Sequence, residues 1–243
     1  MKPREEMNGF AIDLGGTKTA AARIENRKII ERKILPTYGA AALGKQLSAM
    51  ADLLASVGYQ RGDRLGVAIT GRVDKAGVWY AVNQETLTEI NASPIAKSFD
   101  DTIGPATIIN DAAAATLAEA HFGSGRGCKN FGYITVSTGV GGGLFLGGRL
   151  HQSINGVAGH IGFTTSSRGT QMCGSGRHGT VESVAGGNAI ARAAKELGHS
   201  TFDARDVFAR AAENVSWAVA IVDESAHSIA ELCANLTTTL GLD

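Results

Sequence analysis

The chain has 243 residues, with 23 basic side chains balanced by 23 acidic ones. That length builds one large domain or two modest ones with a sizeable core, and zero net charge leaves no broad electrostatic footprint for nucleic acid. No uncharged run reaches the roughly eighteen residues that cross a bilayer, and the opening MKPREEMNGF, with no apolar stretch behind it, does not read as a signal peptide.

GFAIDLGG reads as a buried strand ending in a turn, and TAAARI and KIIERKIL as the next two strands of a meander. Residues 41–57 carry apolar side chains at helical spacing. RLGVAITG, VWYAVN and ATIIN are short strands, and the last runs into DAAAATLAEAHF. Asp111 stands at the N-cap place of that alanine-rich helix. The pattern then restarts. NFGYITVSTGVGGGLFLGGRL is strand, glycine turn, strand, turn, strand, and its TVSTGV lies 124 residues after AIDLGG. The chain therefore reads as a pseudo-repeat of two α/β halves, residues 1–112 and 113–243, each opening with a hairpin whose turn faces a shared cleft. Residues 181–197 and 203–240 read as helices. No closing strands follow TTTLGLD, so the second lobe reads as truncated.

Two turns carry the chemistry. DLGGTK (13–18) places Gly15, Gly16, Thr17 and Lys18 in a hairpin whose backbone N–H groups suit phosphate oxygens, with Asp13 placed to hold Mg²⁺ through water. An ordinary hairpin turn is the plainer alternative. STGVGGG (137–143), with Thr138 and Gly139, is a second such loop at the corresponding place of the repeat. In IND (109–111), Asp111 is either a plain helix cap or a base that accepts a proton from a hydroxyl attacking phosphorus.

QMCGSGRHGTVES (171–183) spaces Cys173 and His178 among glycines like a small metal knuckle. Three cysteines, odd in number and widely spaced, suit free thiols in a reducing cytoplasm better than a disulfide framework.

In order and spacing, AIDLGGTKTAAARI, INDAAAATLAEA, ITVSTGVGGGLFLGGRL, GVAGHIG and CGSGRHGTVESVAGGNAI resemble the ROK family of sugar kinases, and within it the bacterial N-acetylmannosamine kinase branch. The resemblance implies a two-lobed, actin-like ATPase (ribonuclease H-like) fold with a central cleft. It implies ATP- and Mg²⁺-dependent phosphorylation of a hexose 6-hydroxyl in the cytoplasm by a homodimer, with no nucleic-acid or membrane partner. Asp111 is then the base; Asn83, Asn110, Asp111, His160 and Glu182 contact the sugar; Asp13, Gly15, Gly16, Thr17, Lys18, Thr138 and Gly139 serve the nucleotide. A glucokinase or other hexose kinase of the family, and a truncated sugar-binding remnant with little activity, are the alternatives. A family repressor is disfavoured, because only eight residues precede the first strand.

Two departures from the family pattern bear on chemistry. The family's structural zinc is bound by one His and three Cys; here His160 and Cys173 fill two places, but Ser175 and Thr180 stand at the others. Hydroxyls are poor zinc donors, and even with His178 recruited only three donors exist, so a zinc site is not expected. Where many members carry a sugar-contacting Glu three residues before the GH histidine, this chain has Val157, a change that favours the N-acetylmannosamine branch over a glucose-specific enzyme.

Overall fold

The computed structural model describes residues 7–82 and 87–243. It is an α/β chain that divides into two compact units, residues 1–114 with 153–157, and residues 115–152 with 158–243. The expected sugar contact Asn83 lies outside the described residues.

The first unit is built on a mixed five-stranded sheet. β1 (Gly9–Leu14), β2 (Lys18–Glu25) and β3 (Lys28–Pro36) form the expected antiparallel meander. After α1 (Leu43–Ala55), β4 (Leu65–Ile69) pairs parallel to β1; the short hairpin β5 (Arg72–Val73) and β6 (Trp79–Tyr80) follows, then α2 (Ile95–Thr102), and β7 (Thr107–Asn110) pairs parallel to β4. The strand order is β3-β2-β1-β4-β7. Side-chain alternation explains why β1 sits where it does: Ile12 and Leu14 are 1% exposed and join Leu47, Met50 and Leu54 of α1 in the core, each worth roughly 1.5–3 kcal/mol on burial. The residue between them, Asp13, is left on the other face. α3 (Asp111–Phe122) starts directly at the end of β7.

The second unit repeats the meander as β8 (Phe131–Val136), β9 (Val140–Leu146) and β10 (Arg149–Leu150). A single 3-10 turn, Ile161–Phe163, lies on β9. Beyond it come α4 (Glu182–Ala185), α5 (Gly187–Glu196), α6 (Ala204–Ala212) and α7 (Ser216–Leu240). Val140 and Leu144 of β9 pack with Ile161, Val181, Ala185 and Leu232, while Ile190, Val207 and Ala218 join α5, α6 and α7 in a second cluster.

Three expected elements are corrected. Of the strand expected over 78–83, the described residues pair with β5 at Trp79–Tyr80, and Trp79 also bridges Ser93. The helix expected over 181–197 is two, separated by Gly186 in extended conformation (φ −66°, ψ 149°). The break lets a new helix begin against the turn after β8, as described below. The helix expected over 203–240 is also two. Asn214 takes φ 60°, which ends α6, and α6 has its own capping box, Asp203 with Asp206.

No helix among the described residues is long and apolar enough to cross a membrane.

Candidate functional site

In the first unit the expected residues other than Asn83 gather at the carboxyl ends of the parallel strands, where open α/β sheets bind ligands. Leu14 lies opposite Ile69, and Ile69 opposite Asn110, so Asp13 and Asp111 flank the end of β4, separated by two strand spacings of about 4.8 Å each. Gly15, Gly16 and Thr17 form the tight turn from β1 to β2, closed by the Gly15 N–H donating to the Lys18 carbonyl at 2.9 Å. A Cβ on Gly15 would lie 3.1 Å from that carbonyl oxygen. Thr17 and Lys18 are exposed.

The start of α3 overturns the reading of Asp111 as its cap. Asn110 Oδ1 accepts the Ala113 N–H at 3.0 Å, the bond by which an N-cap side chain satisfies the third helical residue. Asn110 is the cap and Asp111 is the first residue inside the helix. The Asn110 amide donates to the Gly71 carbonyl and to Asp111 Oδ1, both at 2.8 Å. Gly71 itself has φ 95°, and a Cβ there would meet the Tyr80 carbonyl oxygen at 2.5 Å, so only glycine presents that acceptor. Asp111 Oδ1 also accepts the Ala112 N–H at 2.8 Å. Burial is the main cause that pushes the Asp111 carboxyl above the usual carboxylate range; the Ala112 N–H opposes it, the Asp13 charge adds to it and the Asn110 amide opposes it. Desolvation likewise raises Asp13, against the pull of Arg32. Two neighbouring carboxyls with raised pKa values at the end of a sheet form a candidate functional cluster rather than a structural ion pair.

In the second unit the turn Ser137–Gly139 joins β8 to β9, and the start of α5 is built around it. Gly187 and Asn188 donate their N–H groups to the Ser137 and Thr138 carbonyls at 2.8 and 3.0 Å. Cβ atoms on Gly186 and Gly187 would lie 3.2 Å from the Thr138 oxygen and 2.7 Å from the Ser137 oxygen, which is why two glycines stand at the helix break. Glu182 Oε2 accepts the Val140 N–H at 3.0 Å. His160 immediately precedes the 3-10 turn and stacks on Phe163, the ring planes 2° apart. That turn lies so close to β9 that a Cβ on Gly159 would come within 3.1 Å of the Gly142 oxygen. Thr138, Gly139, Glu182 and the His160 turn thus converge on the first half of β9.

The segment 171–183 is a hydrogen-bonded knuckle. Cys173 N–H donates to the Arg177 carbonyl at 2.9 Å, Gly176 N–H to the Cys173 carbonyl at 3.0 Å, and the Cys173 thiol and Ser175 hydroxyl share a bond at 3.0 Å. Met172 bridges to His178. Thr180 is fully buried, and its Oγ1 accepts the Ser183 N–H at 3.1 Å while Ser183 Oγ accepts the Thr180 N–H at 3.1 Å. The hydroxyl at the place of a thiolate is thus spent in a reciprocal bond with Ser183 where the chain enters α4. Among the described residues no group of three or more His, Cys, Asp or Glu side chains is arranged to hold a metal ion.

A residue that sequence reasoning passed over also belongs here. Thr37, just past β3, bonds to both Gly15 and Thr17 of the first loop; a lone threonine after a proline carries no signal of that contact.

A family model described as the ROK family matches residues 9–243. The chain belongs to the ROK family. The N-acetylmannosamine kinase of Haemophilus influenzae (strain PittEE) is 38% identical to this ROK chain over 240 residues, covering 97% of the chain and 78% of that protein. The bifunctional enzyme NanE/NanK of Brucella melitensis is 38% identical over 231 residues; the ROK chain spans 42% of that protein's length. The ROK hexokinase from Thermus thermophilus has the same fold, with a TM-score of 0.82 and 30% identity, covering 97% of this chain and 79% of that one.

Proposed function

We propose that this ROK chain is a sugar kinase that transfers a phosphoryl group from ATP to the 6-hydroxyl of N-acetylmannosamine. The observation that carries the chemistry is the division of labour at the end of β7: Asn110 caps the helix, so the neighbouring Asp111 carboxylate is held in one orientation by Asn110 and Ala112 without being needed as the cap. The choice of sugar rests on the 38% identity to an N-acetylmannosamine kinase over nearly the whole chain and on Val157, whose half-exposed apolar side chain replaces a hydrogen-bonding carboxylate.

In the reaction, Asp111 accepts the proton of the sugar 6-hydroxyl as its oxygen attacks the terminal phosphorus. Its raised pKa brings the carboxylate nearer the basicity that general-base catalysis at neutral pH favours. The Gly15–Lys18 turn supplies backbone N–H groups and the Lys18 ammonium to phosphate oxygens, and Thr138 and Gly139 serve the same end from the second loop. His160 and Glu182 contact the sugar, as the family resemblance implies. Asp13 fits a magnesium ion, being an exposed hard-oxygen donor beside a second carboxylate, a pair whose repulsion a divalent cation relieves. When bound, the ion neutralises charge on the transferring phosphate.

A coupled ADP-release assay across N-acetylmannosamine, N-acetylglucosamine, mannose and glucose tests the reading. The expected result is the highest kcat/KM with N-acetylmannosamine. Preference for glucose would replace it with the hexokinase reading that the Thermus thermophilus relative suggests, and no turnover with any sugar would leave the remnant.

A further inference from the structure

The turn after β1 is too short to hold its own shape. Gly15 and Gly16 contribute no side chains, and its one internal closure is the Gly15 N–H on the Lys18 carbonyl. The shape comes from outside. Thr37, half-buried at the end of β3, donates its hydroxyl to the Gly15 carbonyl at 2.8 Å and its backbone N–H to the Thr17 carbonyl at 3.0 Å. Its Oγ1 also lies 2.9 Å from Thr19 Oγ1. A hydroxyl has one proton, and Thr37 spends its own on Gly15, so Thr19 is the donor in that bond. Thr19, 2% exposed, thereby polarises Thr37, and Thr37 polarises the Gly15 peptide in a cooperative chain.

Thr37 is itself anchored. The segment after it is held by Gln46 of α1, which is 1% exposed and donates to the Tyr38 and Ala41 carbonyls at 2.6 and 3.3 Å. A buried amide spent on two loop carbonyls fixes a loop rather than filling a core.

We propose that Thr37 is the positioning residue of the first phosphate loop. Peptide planarity gives the mechanism: the Gly15 carbonyl and the Gly16 N–H belong to one trans peptide and point in opposite directions. Holding that carbonyl toward Thr37 therefore aims the Gly16 N–H away from Thr37, and a donor fixed before phosphate arrives costs no ordering when it binds. The inference rests on the kinase reading of the loop.

The test is fluorescence titration with the ATP analogue mant-ATP, in the absence of sugar, on the intact chain and on Thr37→Val, Thr37→Ser and Thr19→Val, each checked for its melting temperature, followed by steady-state kinetics. Thr37→Val is expected to weaken mant-ATP and raise the KM for ATP roughly tenfold, the order of one lost hydrogen bond, with the KM for sugar within about twofold of wild type. Thr37→Ser keeps the hydroxyl and should restore binding to within roughly threefold, and Thr19→Val, which leaves Thr37 in place, should lose a smaller part. Should Thr37→Val fail to fold, Thr19→Val and Thr37→Ser still decide the matter. Unchanged nucleotide binding in Thr37→Val, or a Thr37→Ser as impaired as valine, overturns the proposal. A wild-type chain that binds mant-ATP but phosphorylates no hexose overturns the kinase reading and leaves the clamp standing on binding alone; one that binds no nucleotide overturns both.

Discussion

Glu182 occupies the space that a side chain on Gly139 would need: its Oε2 accepts the Val140 N–H at 3.0 Å, and a Cβ built on Gly139 would overlap that same carboxylate oxygen. The second loop and the expected sugar carboxylate are therefore one interlocked pair, although 43 positions of sequence separate them.

The pair yields a first prediction. Gly139→Ala should push the Glu182 carboxylate off the Val140 N–H and raise the KM for sugar by roughly tenfold, the order of one misplaced charged hydrogen bond, while the melting temperature changes little because the displaced group is the tip of a flexible side chain. Glu182→Gln, whose oxygen still accepts the Val140 N–H, should keep the fold and lose sugar affinity. Steady-state kinetics with a thermal melt decide both, and a Gly139→Ala enzyme with native KM would separate Glu182 from the sugar.

Asp111→Asn should lower kcat by roughly 10²–10⁴, the usual loss on removing a general base, with sugar affinity nearly kept. The same substitution should stabilise the fold. A half-buried carboxylate whose folded pKa is raised binds its proton more tightly folded than unfolded, so stability falls as pH rises from the unfolded value of 3.8 through the raised folded value and stays low above it. Asparagine can keep the acceptor for Ala112 and carries no charge. At pH 7 the variant's Tm should exceed wild type by roughly 2–4 °C for each kcal/mol recovered; at a pH below 3.8 the difference should vanish. An Asn variant that melts below wild type at pH 7 would contradict the electrostatics described here.

Asp13 contributes to the Asp111 shift, so Asp13→Asn should move the Asp111 titration toward lower pH. Carbon-13 NMR of the side-chain carboxyls follows this directly, without turnover. An unmoved Asp111 midpoint would show that the two carboxylates do not sense each other.

At the knuckle, Thr180→Val removes the side-chain acceptor of the Ser183 N–H, which keeps the Thr180 carbonyl, and should cost about 0.5–1.5 kcal/mol, a Tm fall of roughly 1–6 °C. Chelator treatment of the wild-type protein should leave Tm unchanged, because Ser175 and Thr180 hydroxyls are spent within the protein. Stoichiometric zinc that survives the chelator, or a melt that collapses with it, would reverse this account.

Much of the architecture was legible because it is written in short-range patterns. The β1–β2 and β8–β9 hairpins show as apolar alternation broken by glycine, and Asp111 follows a four-residue strand and opens an alanine run. The cap itself was misassigned, since Asn110 and Asp111 are both good capping residues and only the Ala113 bond tells them apart. The break between α6 and α7 falls at Asn214 in the left-handed region, a conformation that asparagine tolerates but that one asparagine inside a helical pattern does not announce. The break at Gly186 was not readable, because it answers to the Ser137 and Thr138 carbonyls, close in space and far in sequence. Thr37 was missed for the same reason.

The separation of cap from base at the end of β7 also bears on how such a protein changes its role over evolutionary time. Loss of Asp111 leaves the helix start, the loop geometry and the remaining ligand contacts intact, and relieves a repulsion rather than creating a defect. On the proposed function, a single codon change would therefore convert a catalyst into a folded receptor that holds its sugar without consuming it.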